Sequence, residues 1–171
     1  MKIIETERLY LRELTLEDTH DLSKVLSDPE SMKYYPAPFS KEKVEQWIQW
    51  NKENYIKYGH GLWAVIRKED ERFIGDCGIT MQTIENETVP EIGFHIMKEF
   101  CNKGYATEAA NACIKYAFSV VGYPKVYVYA ALTNLPSRRV AEKMGMHVYK
   151  EFQKNGAKQM AYVTINQPMF N

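Results

Sequence analysis

The apolar positions of the chain recur with two periods, one typical of strands and the other of helices. Segments in which apolar and polar side chains alternate, or in which Val, Ile, Phe and Tyr cluster between turn residues, predict β-strands. Seven segments have this character: 8–14, 62–67, 72–81, 91–97, 125–131, 147–152 and 158–165. Residues 86–90, with Asn86 and Pro90, are typical of a turn and separate the third segment from the fourth.

Four other segments carry apolar residues at helical spacing. Thr15 and Ser40 are typical N-caps for the first two, and Gly59, Gly122 and Gly145 are typical stops for the later three. The third helix has the strongest pattern and begins at about residue 106. Its apolar positions are Ala110, Cys113, Ile114, Ala117, Phe118 and Val121.

The order of the elements predicts the class of fold. Strands and helices follow one another as βαα-βββ-α-β-α-ββ, which indicates a mixed sheet covered by helices, an α/β (α+β) architecture. No repeat, low-complexity tract or linker interrupts the 171 residues. We therefore expect one domain over residues 1–171, a length that can bury a core of its own.

Charge and composition narrow the classes of function. Lys and Arg number 22, and so do Asp and Glu, so the chain has no net charge that would favour nucleic acid or an anionic membrane. No apolar run resembles a signal peptide or a membrane span, and we expect a cytoplasmic protein. The three cysteines and four histidines lack the spacing of a metal site, so no metal is expected.

The segment from residue 91 to residue 108 passes from a strand through a tight turn into the third helix. The free amides of such a turn and the positive end of a helix dipole bind phosphate oxygens. Gly104 lacks the Cβ that would block close approach. A phosphate site is one interpretation, and an ordinary turn glycine ahead of a helix is the other.

Two motifs carry a resemblance to a known family. Residues 101–106 read Cys-Asn-Lys-Gly-Tyr-Ala, and residues 103–109 read K-G-Y-A-T-E-A. This segment resembles the acetyl-CoA motif Q/R-x-x-G-x-G/A of the GNAT (Gcn5-related N-acetyltransferase) superfamily, in the branch of the ribosomal-protein N-terminal (alanine/serine) acetyltransferases. Cys101 departs from the consensus Q/R. Residues 134–146 resemble the family's N-x-x-S…E-K-x-G-F segment, and the opening E-T-E-R-L-Y-L-R-E-L resembles the branch's first strand.

The resemblance implies a fold and a cosubstrate. It implies a mostly antiparallel sheet of about seven strands, flanked by about four helices, whose fourth and fifth strands, here 91–97 and 125–131, part to admit the pantetheine arm of acetyl-CoA. The implied cofactor-binding residues are the main chain of Phe94, His95 and Ile96 for the arm, Asn102, Lys103, Gly104, Tyr105, Ala106 and Thr107 for the pyrophosphate, Asn134 for an amide of the cofactor and Ser137 near the thioester sulfur. Asn134 before Pro136 is also typical of a helix N-cap.

The resemblance also implies direct acetyl transfer to an amine, with two candidate catalytic residues. An amine must be neutral to attack a thioester, and Glu91 stands where relatives carry a glutamate base; the alternative is a surface charge at a strand edge. Ser137 is expected near the thioester sulfur, or else as a residue of a helix's first turn. Ala141 occupies the position of the tyrosine acid of many relatives. A non-catalytic acyl-CoA-binding or sensor domain therefore remains the alternative function.

The acceptor stays open at the level of sequence. A protein N-terminus and a small-molecule amine both fit, as do a monomer and a homodimer. The aromatic stretch 32–39 joins the first two helices, which in the family wall the acceptor site, although simple packing over the sheet is the other interpretation. Arg138, Arg139 and Lys143 are candidates for the 3′-phosphate of the cofactor, with a solvated helix face as the preferred interpretation.

Overall fold

The computed structural model describes residues 1–167, so the last four residues of the predicted domain lie outside the described part. One sheet organises these residues, with strands in the spatial order β1-β2-β3-β4-β5-β6-β8-β7. The strands are β1 (Lys2–Glu5), β2 (Leu9–Glu13), β3 (Leu62–Arg67), β4 (Arg72–Ile84), β5 (Glu87–Ile96), β6 (Lys125–Ala131), β7 (His147–Lys154) and β8 (Ala157–Ile165). The helices are α1 (Thr19–Leu26), α2 (Lys41–Tyr58), α3 (Tyr105–Tyr116) and α4 (Leu135–Lys143). The predicted mixed, mostly antiparallel sheet with four helices is confirmed.

The sheet has one strand more than the seven predicted. The additional strand, β1, is four residues long and places only Ile3 and Ile4 between the charged Lys2 and Glu5. So short a pattern carries no period of its own. Antiparallel pairing with β2, in which Glu5 lies opposite Tyr10, supplies the hydrogen bonds that make the segment a strand.

The hairpin of β4 and β5 is longer than predicted. The strands continue to Ile84 and resume at Glu87, so the turn consists of Glu85 and Asn86 rather than residues 86–90. Pro90 lies inside β5, opposite Met81. A proline within a strand usually marks an edge or a break. It is tolerated here because β5 is almost unpaired on the side away from β4.

The predicted helix ends match the structure closely. Ser40 caps α2 by accepting a hydrogen bond from the Lys43 amide at 3.2 Å, and Gly59 ends the helix in the left-handed conformation with φ 78°. Thr15 precedes a short 3₁₀ turn, Leu16–Asp18, which leads into α1. The third helix begins one residue earlier than predicted and ends in a π-helical turn, Ala117–Val121, before Gly122.

The hydrophobic core is one large cluster in which the helices bury their apolar faces on the central strands. Leu22 and Leu26 of α1 are fully buried, as is Trp63 of β3, whose ring packs edge-on against Tyr116. The thiols of Cys77 in β4 and Cys113 in α3 lie 3.7 Å apart as free cysteines. Within residues 1–167, no helix has both the length and the apolar character needed to cross a membrane.

The strands β5 and β6 are parallel and touch at a single point. Their only pair joins Glu91 to Tyr127, whereas β5 pairs with β4 along its whole length from Glu87 to Ile96. Beyond Glu91 the two strands diverge. The main-chain edge of β5 from residue 92 to residue 96 therefore has no partner strand on its β6 side, and this divergence positions the site described next.

Candidate active site

A cavity of about 340 Å³ occupies the gap between β5 and β6. Four regions wall it: the loop between α1 and α2, the middle of β4 and β5, the end of β6 with the start of α4, and the β7–β8 hairpin. Five of the residues predicted for the site line this one cavity. They are Glu91, Phe94, His95, Asn134 and Ser137.

Glu91 lies buried where the strands part, with 8% of its surface exposed. Its Oε2 accepts a hydrogen bond from the Tyr129 amide of β6 at 3.2 Å, an amide that a continued ladder would have paired with main chain. Burial raises the pKa of Glu91 to about 8, although the Tyr129 amide and the charge of Lys154 act in the opposite direction. The interpretation of Glu91 as a surface charge is therefore wrong.

Asn134 and Ser137 form the first turn of α4 at the opposite wall. Asn134 is buried, and its Oδ1 accepts a hydrogen bond from the Ser137 amide at 3.3 Å, which makes it the N-cap of the helix. Pro136 follows in the first turn, where its missing N–H is tolerated. Ser137 lines the cavity, and its hydroxyl has no hydrogen-bond partner among residues 1–167.

A hydrogen-bonded chain of side chains runs from one wall of the cavity into the core. His95 Nδ1 lies 2.7 Å from Oδ1 of Asp76, and its Nε2 lies 3.0 Å from the Tyr35 hydroxyl. Trp47 Nε1 donates to the other carboxylate oxygen of Asp76 at 3.2 Å. Asp76 is fully buried in β4, directly opposite His95 of β5.

The sequence analysis did not single out Asp76 or Trp47. A signal was present, because Asp76 is an acidic residue inside the apolar segment I-G-D-C-G-I, and a buried carboxylate needs partners. What the chain order does not reveal is the register that sets Asp76 against His95. The sequence pointed to the main chain of His95, whereas the structure also brings its side chain to the cavity wall.

The turn before α3 lies outside the lining of this cavity. Gly104 precedes the helix with φ 84°, Asn102 also has a positive φ of 62°, and no side chain caps the helix. Among the hydrogen bonds of residues 1–167, none is donated by the main-chain amides of residues 102–107. Cys101 Sγ contacts the Ile96 carbonyl at 3.5 Å, which joins the end of β5 to this turn.

Arg8 holds the same turn from the far edge of the sheet. Its Nε donates to Glu108 at 2.7 Å, its Nη1 donates to the Lys103 carbonyl at 2.9 Å, and its guanidinium lies 4.3 Å from the centre of the Tyr105 ring. A Cβ on Gly104 would stand 3.2 Å from its Nη2. The turn thus has open amides and an adjacent cation.

The predicted aromatic stretch has two roles in the structure. Tyr34, Tyr35 and Pro36 line the cavity, while Phe39 packs edge-on against Trp47. The opposite rim consists of residues of the β7–β8 hairpin, among them Lys154, Asn155, Ala157 and Gln159.

The α4 arginine proposed as one candidate for the 3′-phosphate is engaged elsewhere. Arg138 donates to the Tyr162 hydroxyl at 3.0 Å and to the Leu132 carbonyl at 2.8 Å, so its guanidinium fastens α4 to the sheet. Ala141 is completely buried in the core cluster. The preferred interpretation of Arg138 as part of a solvated helix face is therefore wrong, because its half-buried side chain is bonded to the protein.

Comparison with known proteins identifies the family. Residues 8–147 match the model of the acetyltransferase (GNAT) domain. The chain is 39% identical to the uncharacterized protein YkkB of Bacillus subtilis over 150 residues, which is 87% of each chain. It is 32% identical to the uncharacterized N-acetyltransferase YnaD of the same organism, over 88% of this chain and 86% of that one.

Solved structures agree with the sequence comparison. An acetyltransferase of the GNAT family from Bacillus anthracis superimposes with a TM-score of 0.80 at 28% identity, over 95% of this chain and 97% of that one. RimL, a ribosomal L7/L12 alpha-N-protein acetyltransferase in complex with coenzyme A, shares the fold with a TM-score of 0.78 at 17% identity, over 96% and 98%. The chain belongs to the GNAT family of acetyltransferases.

Proposed function

We propose that the protein transfers an acetyl group from acetyl-CoA directly to a primary amine in the cavity between β5 and β6. One observation carries the proposal: the strands part at a buried carboxyl group, Glu91, that faces a cavity large enough for two reacting groups. The family supplies the class of reaction, an acyl transfer. The buried carboxyl supplies a group able to take a proton from the amine.

The proposal assigns acetyl-CoA to two parts of the structure. The unpaired edge of β5, around Phe94, His95 and Ile96, offers main-chain groups to the amides of a pantetheine arm. The main-chain amides of residues 102–107 donate no hydrogen bond to a carbonyl within residues 1–167, and they lie at the positive end of α3. Such amides can bind the oxygens of a pyrophosphate. RimL, which has the same fold, was solved in complex with coenzyme A, and this supports acetyl-CoA as the cosubstrate.

Glu91 acts in this scheme as the base. A general base works best when its pKa lies near the operating pH, and burial brings the pKa of Glu91 to about 8. That value matches an α-amine of pKa about 8 far better than an exposed glutamate would. Ser137, with its free hydroxyl at the first turn of α4, is the proposed neighbour of the thioester sulfur.

The acceptor in this proposal is either a protein N-terminus or a small-molecule amine. The cavity opens between the aromatic loop with Tyr34 and Tyr35 and the hairpin with Lys154, so its walls combine apolar faces with a positive rim. One domain over residues 1–171, a cytoplasmic location and a monomeric or dimeric state remain predictions from the sequence. Binding of acetyl-CoA without turnover is the alternative that the buried Ala141 keeps open.

Two measurements on the purified protein test the proposal. Calorimetric titration with acetyl-CoA measures binding, and release of free thiol in the presence of amines measures transfer, with mass detection of acetylated products. The amines should include peptides with Ala or Ser at the N-terminus, polyamines and amino acids. Binding with turnover on one class supports the proposal. Absence of binding removes it, and tight binding with no turnover on any amine favours the acyl-CoA-binding alternative.

A further inference from the structure

The acetyl transfer removes two protons from the acceptor's nitrogen, and a single base can hold only one of them at a time. An acceptor enters as an ammonium ion and leaves as an amide, so its nitrogen loses two protons. One of these is matched by the proton that the departing coenzyme A thiolate gains, and the other goes to solution. Glu91 can hold one proton at a time, so a second acceptor in the cavity would let both protons leave the nitrogen without Glu91 first releasing one.

The strand that carries Glu91 also carries a group with the required geometry. His95 lies two positions along the strand face from Gly93, and Gly93 lies two from Glu91, so all three share one face of β5. A Cβ on Gly93 would stand 3.8 Å from Glu91 Oε1. The carboxyl group therefore leans over the glycine towards His95, and the missing side chain leaves space between the two groups.

The partners of His95 determine which ring nitrogen carries the proton. Asp76 accepts from Trp47 through one oxygen, and its other oxygen lies 2.7 Å from His95 Nδ1. A buried carboxylate in this arrangement accepts the Nδ1 proton, which leaves Nε2 as the basic nitrogen. Nε2 in turn accepts the hydroxyl proton of Tyr35 at 3.0 Å.

Tyr35 connects this buried pair to the entrance of the cavity. Its side chain is 42% exposed, whereas His95 is 13% exposed and Asp76 is fully buried. The order Tyr35, His95, Asp76 therefore runs from solvent to core. Of these three residues, Tyr35 is the one most accessible to an ammonium ion that enters the cavity.

We propose that His95, positioned by Asp76, is a second proton acceptor of the acetyl transfer and receives the first proton of the acceptor's ammonium through the Tyr35 hydroxyl. The inference rests on the proposed function. The ammonium proton passes to the Tyr35 oxygen while the proton of that hydroxyl moves to His95 Nε2, which gives an imidazolium beside the Asp76 carboxylate. The neutral amine then forms the N–C bond as the C–S bond breaks.

The remaining protons complete the balance. The nitrogen of the new amide passes its second proton to Glu91 in its carboxylate form, which becomes populated as the pH approaches 8. The thiolate takes one proton, from Glu91 or from water, and the imidazolium releases the other to solution through Tyr35. The ionisable groups that face His95 or share its cavity come from five elements. They are Asp76 from β4, Lys33, Tyr34 and Tyr35 from the α1–α2 loop, Glu91 from its own strand, Tyr129 from β6 and Lys154 from β7.

Kinetics of His95→Gln test the proposal, with His147→Gln, at an exposed histidine that is not among the residues lining the cavity, as the matched control. We expect kcat to fall about 100-fold in His95→Gln, the typical contribution of a positioned acid–base group, while the Kd for acetyl-CoA stays within about twofold. Added imidazole should restore part of the rate in His95→Ala. Wild-type kcat in His95→Gln, or a loss that imidazole does not rescue, overturns the proposal.

A spectroscopic readout tests the positioning without turnover. The ¹⁵N shifts of the His95 ring should report a proton on Nδ1 in the unliganded wild type and a changed tautomer in Asp76→Asn, whose amide can donate to that nitrogen. A proton on Nε2 in the wild type contradicts the proposal. If wild-type protein binds no acetyl-CoA or acetylates no amine, the proposed function fails first, so the two failures are distinguishable.

Discussion

At the scale of single residues, the surroundings of Glu91 decide its chemistry. A glutamate at the exposed end of a strand would ionise near pH 4.3 and would be a weak base at neutral pH. Glu91 instead lies in the gap between β5 and β6 with one partner, the Tyr129 amide. Desolvation opposes its charge and raises the pKa to about 8.

Replacement of Glu91 by Gln tests its role as base. The amide oxygen of Gln can still accept the hydrogen bond from the Tyr129 amide. The gap between β5 and β6 should therefore keep its shape while the proton acceptor is lost. We expect kcat to fall about 100-fold and the pH optimum to move upward, because no carboxylate then takes a proton from the attacking nitrogen and hydroxide from solution must do so instead. Rates from pH 6 to pH 10 measure this, with acetyl-CoA affinity as the control. A pH–rate profile identical to that of the wild type would show that Glu91 is not the base.

The same pKa shift predicts how stability depends on pH. Between pH 4.5 and pH 8 the folded protein keeps a proton on Glu91 that the unfolded chain has released, so a rise in pH favours unfolding. The stabilisation is fully present below pH 4.5 and is lost as the pH passes 8. The full shift corresponds to roughly 3–5 kcal/mol.

Urea unfolding of the wild type and of Glu91→Gln at pH 5, 7 and 9 measures that difference. The other ionisable groups act alike in both proteins, so the change in their difference with pH isolates Glu91. The free energy of unfolding of the wild type should fall relative to that of the variant as the pH rises. Parallel curves would mean that Glu91 ionises as it does in the unfolded chain.

At the scale of elements, the long β4–β5 hairpin places two glycines directly opposite each other. Gly78 and Gly93 are cross-strand partners, yet their surroundings differ. A Cβ on Gly78 would stand 2.0 Å from the Gly61 carbonyl oxygen, which belongs to rigid main chain, whereas a Cβ on Gly93 would stand 3.2 Å from Leu62 Cδ2, the end of a flexible side chain. The close approach of β3 to β4 therefore depends on Gly78.

Alanine substitutions at Gly78 and Gly93 compare a clash with rigid main chain and a clash with the end of a flexible side chain. Gly78→Ala should lower the free energy of unfolding by about 3 kcal/mol or more, because the strands must move apart. Gly93→Ala should lower it by about 1 kcal/mol, since Leu62 can shift. Chemical denaturation measures both. Equal losses would contradict the assignment of the close approach to Gly78 alone.

At the scale of the whole molecule, residues a hundred positions apart in the chain build the turn ahead of α3. Thr6 and Arg8, next to the first strands, both bond to Glu108 of α3, at 2.6 Å and 2.7 Å. The N-terminal edge of the sheet is thereby fastened to the proposed pyrophosphate site. The turn owes its conformation to this contact as much as to Gly104.

Replacement of Arg8 by Ala should weaken acetyl-CoA binding about tenfold, because the turn loses an adjacent charge and two of its restraints. Arg8→Lys should recover only part of the affinity, since an ammonium group cannot reach Glu108 and the Lys103 carbonyl together. Lys115→Ala, on the exposed part of α3, is the control for a lost positive charge. Calorimetric titration measures the three constants, and unchanged affinity in Arg8→Ala would contradict the role.

Much of this architecture could be predicted from the sequence. The helix ends at Ser40 and Gly59 depend on capping within a few residues, and such local chemistry can be interpreted without a fold. The strand β1 and the true ends of the β4–β5 hairpin could not be predicted, because they depend on pairing with neighbours. The role of Asp76 could not be predicted for the same reason, because it depends on the strand register that places His95 beside it.

The sequence by itself determined the class of fold and the family motif before α3, because these follow from period, capping and short-range order, and its resemblance to the family named five of the residues that line the cavity. Only the tertiary structure decided the state of those residues. Burial made Glu91 a group with a pKa near 8, cross-strand pairing joined His95 to Asp76, and a distant arginine settled beside Gly104. Desolvation and long-range contact exist only once the chain has folded, so no pattern along the chain records them.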